Sequence, residues 1–244
     1  MSTKRLSVIV SAALGLLLLA GCSSLRDKLN ILTGSGNPVT REFDFSDFDE
    51  VAIENAFEGT ITRGDAYRVV VTVDDNLLDV LEVGQNGNRV TLALRDATVV
   101  ANANLSFEIT MPALRVLEAS GASRAQITGF DASEDLRAAA SGASRIEGDI
   151  NSGDANFNAS GASTITLRGA GGDVQAEASG ASTIDLSDFA TADANVTASG
   201  SSNITVNTTG RLDAQATGAS KVHYLGQPTL GTLDSSGSSS IDPR

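Results

Sequence analysis

The sequence has no tryptophan, one cysteine, one histidine and four prolines, and basic residues are its scarcer charge. Each shortage removes a class of function. With Cys22 alone, no intrachain disulfide and no thiolate zinc site can form. With His223 alone, the many serines lack a supply of bases, so repeated nucleophilic serine chemistry is excluded. Eight Phe and two Tyr leave few rings for stacking against sugars, because the pattern turns most of them inward, Phe157 among them. Lys and Arg number 17 against 30 Asp and Glu, a net charge of −13 that repels nucleic acid and anionic lipid surfaces. No cofactor motif is present.

What is present begins with an address. Lys4 and Arg5 precede an apolar stretch from Leu6 to Leu19, too short for a membrane span, and the segment closes on Leu19-Ala20-Gly21-Cys22. This resembles a bacterial lipoprotein signal, in which the cysteine sulfur takes the lipid. Residues 1–21 are therefore expected to be removed and Cys22 lipidated, which holds a protein on a membrane without a spanning helix. Removal leaves 15 basic and 30 acidic residues, a charge of about −15. Ser23 after the cysteine, by resemblance to enterobacterial sorting, is expected to favour the outer membrane of a Gram-negative cell. Residues 22–39, with Ser, Gly, Asn and Pro38 around a short LRDKLNIL segment, read as a lipidated tether.

Residues 40–118 carry larger apolar residues in alternating runs, Arg68–Val73, Arg89–Leu94 and Asn104–Met111, the period of β-strands. Gly84–Asn88 is turn chemistry, and Asp74–Val80 reads as a single helical turn or a loop. This region is expected to add about four coils to the array described next.

From residue 119 to 244 the chain becomes small and repetitive. A Ser- or Thr-led SGAS tetrad starts at Ser120, Ser141, Ser160, Ser179, Ser199, Thr217 and Ser236, at intervals of 18 to 21 residues. A unit this short cannot close its own core and must stack on its neighbours, so the repeat predicts a β-solenoid of about 19-residue coils. Counting the first tetrad residue as zero, +5 holds Ala125, Ile146, Ile165, Ile184, Ile204, Val222 and Ile241. Position −3 holds Leu117, Ala138, Phe157, Ala176, Val196, Ala214 and Leu233. Two half-buried strands per coil follow, with the tetrad as the corner between them. Gly121, Gly142, Gly161, Gly180, Gly200, Gly218 and Gly237 at +1 mark a bend that excludes a side chain. Serine at +3 sets a column of hydroxyls about 4.8 Å apart that bond to one another or cap backbone groups. A β-sandwich also uses short strands, but offers no reason for the same corner to recur.

Several segments together look like the putative auto-transporter adhesin, head GIN domain family. They are Phe43–Phe45 to Val51–Ile53, Gly64-Asp65 to Val73, Asp75–Val80, and Thr110-Met-Pro112-Ala-Leu114 leading into the first tetrad. The resemblance covers residues 40–240 or so. It implies a right-handed β-solenoid at the cell surface or in the periplasm, with no catalytic residues to carry over.

Candidate sites are few. Asp135, Asp154, Asp173 and Asp193 recur at −6 in four successive coils, a ladder that could bridge cations or ligand groups unless each carboxylate caps its own turn. Gly169–Asp173 lacks the Lys-Ser/Thr of a phosphate loop and reads as a turn between coils. Residues 42–58 hold seven acids and no Lys or Arg, the solvated face of early strands or a patch for a basic partner. His223 is expected on the outer face. The leading expectation is a non-enzymatic, lipid-anchored envelope protein that presents its solenoid to a protein or glycan partner. The alternatives are a structural spacer that associates with itself through its solenoid ends, and, more remotely, a polysaccharide-active enzyme using a carboxylate pair.

Overall fold

The computed structural model describes residues 31–95, 99–131 and 133–244. Within them the chain is almost all strand, with one 3-10 turn at Asp75–Leu77. The N-terminal part holds β1 (Ile31–Thr33), β2 (Pro38–Phe43), β3 (Glu50–Ile53), β4 (Glu58–Arg63), β5 (Arg68–Asp74), β6 (Leu81–Asn86), β7 (Arg89–Leu94), β8 (Val99–Ala101) and β9 (Leu105–Met111). The repeats follow as strand pairs: β10 (Val116–Ala119) with β11 (Arg124–Asp131), β12 (Leu136–Ala140) with β13 (Arg145–Asn151), and β14 (Ala155–Ala159) with β15 (Thr164–Ala170). After these come β16 (Val174–Ala178) with β17 (Thr183–Thr191), and β18 (Ala194–Ala198) with β19 (Asn203–Thr208). The last pairs are β20 (Arg211–Ala216) with β21 (Lys221–Leu225), and β22 (Thr229–Ser235) with β23 (Ser240–Pro243).

Each pair is one coil, and a tetrad turns the chain between its two strands. The first strands stack in parallel into a ten-stranded sheet, β22-β20-β18-β16-β14-β12-β10-β3-β7-β6. The second strands stack into an eleven-stranded sheet, β2-β5-β9-β4-β11-β13-β15-β17-β19-β21-β23. This is a β-solenoid, and the two sheets face each other across a shared core. The register reproduces the repeat: Ala138, Phe157, Ala176, Val196 and Ala214 stand in line in one sheet. In the other sheet Ile146, Ile165, Ile184, Ile204, Val222 and Ile241 do the same. Every member of the first set is buried, as are the isoleucines through Ile204.

Large and small residues alternate along the −3 column, so Phe157 projects into space that Ala138 and Ala176 leave free. Phe189, on the long strand β17, fills the remainder and meets the Phe157 ring edge-on, with centroids 5.8 Å apart at 89°. The interior is continuous from Val51 to Val222, so residues 40–118 share the core of the repeats.

The expectation of four further coils from residues 40–118 is corrected. Two rungs run parallel to the repeats, β3/β4 and β7/β9, while β2, β5 and β6 pair antiparallel. The reason is local. Gly87, at φ +60°, closes a two-residue turn between β6 and β7, and so short a connection can only join antiparallel strands. The rung β3/β4 also lies between β7/β9 and β10/β11, so stacking order departs from chain order. Of the stretch read as a tether, residues 31–33 form β1 against β8, and Pro38 and Val39 begin the edge strand β2. Asp74, fully buried at the end of β5, accepts hydrogen bonds from the Asn104 side chain at 2.6 Å and the Asn104 backbone at 3.2 Å. These bonds hold its carboxyl below the usual carboxylate range.

Candidate functional site

The tetrads are explained by folding. Their glycines lie at φ between +73° and +80°, where L-residues are disfavoured. They also stack against one another: a Cβ on Gly142 would stand 2.6 Å from the Gly121 carbonyl oxygen, and one on Gly161 2.7 Å from that of Gly142. The corner of the β3/β4 rung was not legible as a tetrad, because Glu54-Asn55-Ala56-Phe57 shares only the alanine with SGAS. Asn55 takes the glycine's place at φ +67°, one of the few side chains that tolerate it, and its Oδ1 accepts the Leu94 N–H at 2.8 Å.

The +3 serines are buried from Ser123 to Ser220. They cap backbone rather than one another. Ser144, Ser163, Ser182, Ser202, Ser220 and Ser239 each place Oγ within 3.0 Å of two carbonyl oxygens, one in the same corner and one in the preceding coil.

The carboxylate ladder stands at the opposite edge of the ten-stranded sheet, where each coil enters its first strand. Asp135 Oδ1 accepts the Asp154 N–H at 3.0 Å, Asp154 Oδ1 the Asp173 N–H at 2.9 Å, and Asp173 Oδ1 the Asp193 N–H at 3.1 Å. Asp193 Oδ1 takes the Arg211 N–H at 2.7 Å. The carboxylates therefore cap the backbone of the next coil, not their own turn. Among the described residues, no three acidic, His or Cys side chains come together as a metal site.

Beside this ladder runs a groove of about 570 Å³ across the first strands of five coils. Asp135, Asp154 and Asp173 form one bank, and Leu136, Ala155 and Val174 lie at its foot. Its floor is the outward −4 column, in which register aligns Val116, Arg137, Asn156, Gln175 and Asn195. Asn156 donates to Gln175 Oε1 at 3.1 Å, and Gln175 donates to Glu177 at 3.3 Å. Arg115 and Glu50 close one end. Both are engaged: Arg115 approaches Asp49 at 3.7 Å, and Glu50 pairs with Arg89 at 3.0 Å. Arg137 has no ion-pair partner among the described residues. The −4 column escaped sequence reading because its residue types vary; outward alternation was the signal that could have found it.

The other candidates resolve differently. Four of the acids in residues 42–58 pair with arginines on or next to neighbouring strands: Glu42 with Arg68, Asp49 with Arg115, Glu50 with Arg89 and Glu58 with Arg124. Arg89 also reaches Glu118 at 2.7 Å, and these two carboxylates, Glu118 first, raise its pKa. His223 faces outward on β21, with Thr205 and Asp242 beside it in register and no hydrogen bond joining the three. Gly171 and Gly172 lie in the turn before β16. Cys22 and the signal segment lie outside the described residues. Among the described residues no helix is long and apolar enough to cross a membrane.

A family model described as "Putative auto-transporter adhesin, head GIN domain" matches residues 47–228. The chain belongs to this family. The matched span of the head GIN domain begins just before β3 and ends just before β22, so it takes in the two early rungs, the tetrad corners through Thr217 and the groove. Solved structures share its fold. A "putative adhesin" from Bacteroides fragilis superposes with a TM-score of 0.80 at 19% identity, over 87% of this chain and 100% of that one. A "putative lipid binding protein" from Parabacteroides distasonis gives 0.71 at 21% identity, over 88% and 99%. A "putative adhesin" from Parabacteroides merdae gives 0.68 at 15% identity, over 88% and 99%. No curated protein matches the sequence.

Proposed function

We propose that this head GIN domain protein is a non-enzymatic adhesin, tethered to the outer membrane through lipidated Cys22, whose solenoid offers the groove beside the Asp135–Asp173 ladder to a protein or glycan partner. The observation that carries the reading is that groove: it spans five coils, is lined by outward polar side chains at the coil spacing, and lies in a family named for adhesion. The core residues and tetrads serve folding, whereas the floor of the groove faces outward, with Asn156 bonded to Gln175 and Gln175 to Glu177. The anchor is tested by feeding cells a radiolabelled fatty acid and following the protein and its Cys22→Ser variant. Label on the parent chain and none on the variant is expected; an unlabelled parent chain removes the anchor.

A second reading is self-association. The outer edges of β22 and β23 have no strand partner among the described residues, and Leu230 on β22 is 49% exposed. Free edges of this kind pair readily with further strands. Light scattering across a concentration series discriminates: growth of mass with concentration supports association, and a constant monomer mass removes it.

A further inference from the structure

The groove's side chains specify more than a binding face. We propose that it holds a neutral, unbranched polysaccharide, with successive sugars lying along successive coils and their hydroxyls shared between the Asp135–Asp154–Asp173 bank and the Asn156–Gln175–Asn195 floor. This rests on the reading of the solenoid as an adhesin and names its ligand class.

The bank and the floor differ in hydrogen-bonding character. On the bank, Oδ1 of each aspartate is taken by a backbone N–H, while no hydrogen bond engages Oδ2 among the described residues. A column of free acceptors results. The floor supplies donors and acceptors: the amides of Asn156, Gln175 and Asn195, of which Asn156 and Gln175 each already donate one N–H, to Gln175 and Glu177, and the unpaired guanidinium of Arg137. A ligand lying between the two meets acceptors on the bank and both donors and acceptors on the floor. A sugar hydroxyl both donates and accepts. An ammonium or guanidinium group only donates, so it can pair with the bank and with the floor's amide oxygens but not with the Arg137 guanidinium or the floor's remaining N–H groups.

With Arg115 and Glu50 engaged by Asp49 and Arg89, three carboxylates without an ion pair face one unpaired guanidinium, in a chain of net charge −13. A polyanion such as a uronate polymer is repelled. Arg137, between Val116 and Asn156 on the floor, suits bidentate donation to two vicinal oxygens and would fix the register of the chain.

Neighbouring strands lie about 4.8 Å apart, close to the length one pyranose ring adds to an extended chain. The bank and floor repeat over Asp135/Arg137, Asp154/Asn156 and Asp173/Gln175, so an unbranched chain meets an aspartate and a hydrogen-bond donor at each coil. Side branches on consecutive sugars would meet the bank. The side chains of Leu136, Ala155 and Val174 are buried in the core, which leaves Val116 as the floor's apolar residue, so affinity comes from many weak polar contacts in series rather than from ring stacking.

The test uses the chain from residue 23 onward on an array of unbranched neutral glycans, uronate polymers, poly-L-lysine and poly-L-glutamate, followed by calorimetry on the best-retained polymer. Retention of a neutral linear glycan is expected, with at least a tenfold loss of affinity in each of Asn156→Ala, Gln175→Ala and Arg137→Ala. Thr166→Ala and Gln126→Ala, on the outer face of the other sheet, are expected to change nothing, and thermal melts establish that every variant is folded. Retention of poly-L-lysine or a uronate polymer in preference to neutral glycans overturns the ligand class. So does neutral-glycan binding that survives all three groove substitutions, and so does an array with no neutral glycan retained. If in any of these cases cells displaying the protein still adhere to a surface and lose adhesion with the groove variants, the adhesin reading stands while the glycan falls. If the groove variants adhere as well as the parent, that reading falls with it.

Discussion

The hydroxyl of Ser163 lies 2.9 Å from the carbonyl oxygen of Ala140 in the preceding coil, and equally 2.9 Å from that of Ser160 in its own corner. One proton shared between two carbonyls ties the corner to the coil beneath it. The Ala140 carbonyl also receives the Ser160 N–H at 2.9 Å, so it keeps a partner if the hydroxyl is lost. Ser163→Ala is therefore expected to cost about 1 kcal/mol, the net worth of one buried hydrogen bond. Ser163→Val, which adds volume in the same place, costs more. Chemical denaturation measures both; equal stability of all three proteins would show that the serine column does not hold the coils.

Gly161→Ala is expected to cost about 1–3 kcal/mol, because φ is +76° and the new methyl meets the Gly142 carbonyl at 2.7 Å. Gly84→Ala, with open space around it and an ordinary φ, serves as the control and should be neutral. Equal midpoints for the two variants would contradict the stacked corner.

Phe157→Ala leaves a cavity between Ala138 and Ala176 and strips Phe189 of its edge-on partner. A loss of about 3–5 kcal/mol is expected. Phe157→Leu should recover most of it. Calorimetric melts check the order of the three proteins, and an alanine variant as stable as the parent would mean that the column is not the core.

Asp213 is held down to a pKa of about 2, first by its hydrogen bonds with Arg211, at 2.5 and 2.8 Å, and then by the Thr232 N–H at 2.7 Å. Its folded value lies below the ordinary carboxylate value, so the ionised form favours the fold. That contribution is complete above about pH 4 and falls away as pH drops towards 2. Asp213→Asn should flatten this part of the profile, read as hydrogen exchange in β20 and β22. An unchanged acid profile would remove Asp213 as its source.

Legibility in the sequence followed repetition. Residues 119–244 repeat one unit, so the +5 isoleucines, the −3 column and the glycine corners could be aligned on paper, and the register confirms that alignment residue by residue. Residues 40–118 have no such repeat. There Asn55 replaces the corner glycine, the Gly87 turn reverses the strand direction, and β3/β4 is inserted between rungs that follow it in the chain; each depends on contacts distant in sequence. The groove was hidden for a related reason. The Asp135–Asp193 ladder showed because one residue type recurs, whereas Val116, Arg137, Asn156, Gln175 and Asn195 share only a position. The backbone role of each aspartate, towards the next coil, is visible only once the coils are stacked.

The proposed adhesin role requires the solenoid to face outward from the cell on its proposed lipid anchor at Cys22. The most direct measurement labels intact cells with a membrane-impermeant reagent, reading an epitope placed near the C-terminus and using permeabilised cells as the control. Labelling of intact cells, lost from the cell fraction in Cys22→Ser, is the predicted result. Protection of the epitope until the outer membrane is permeabilised would contradict it and place the protein's work in the periplasm.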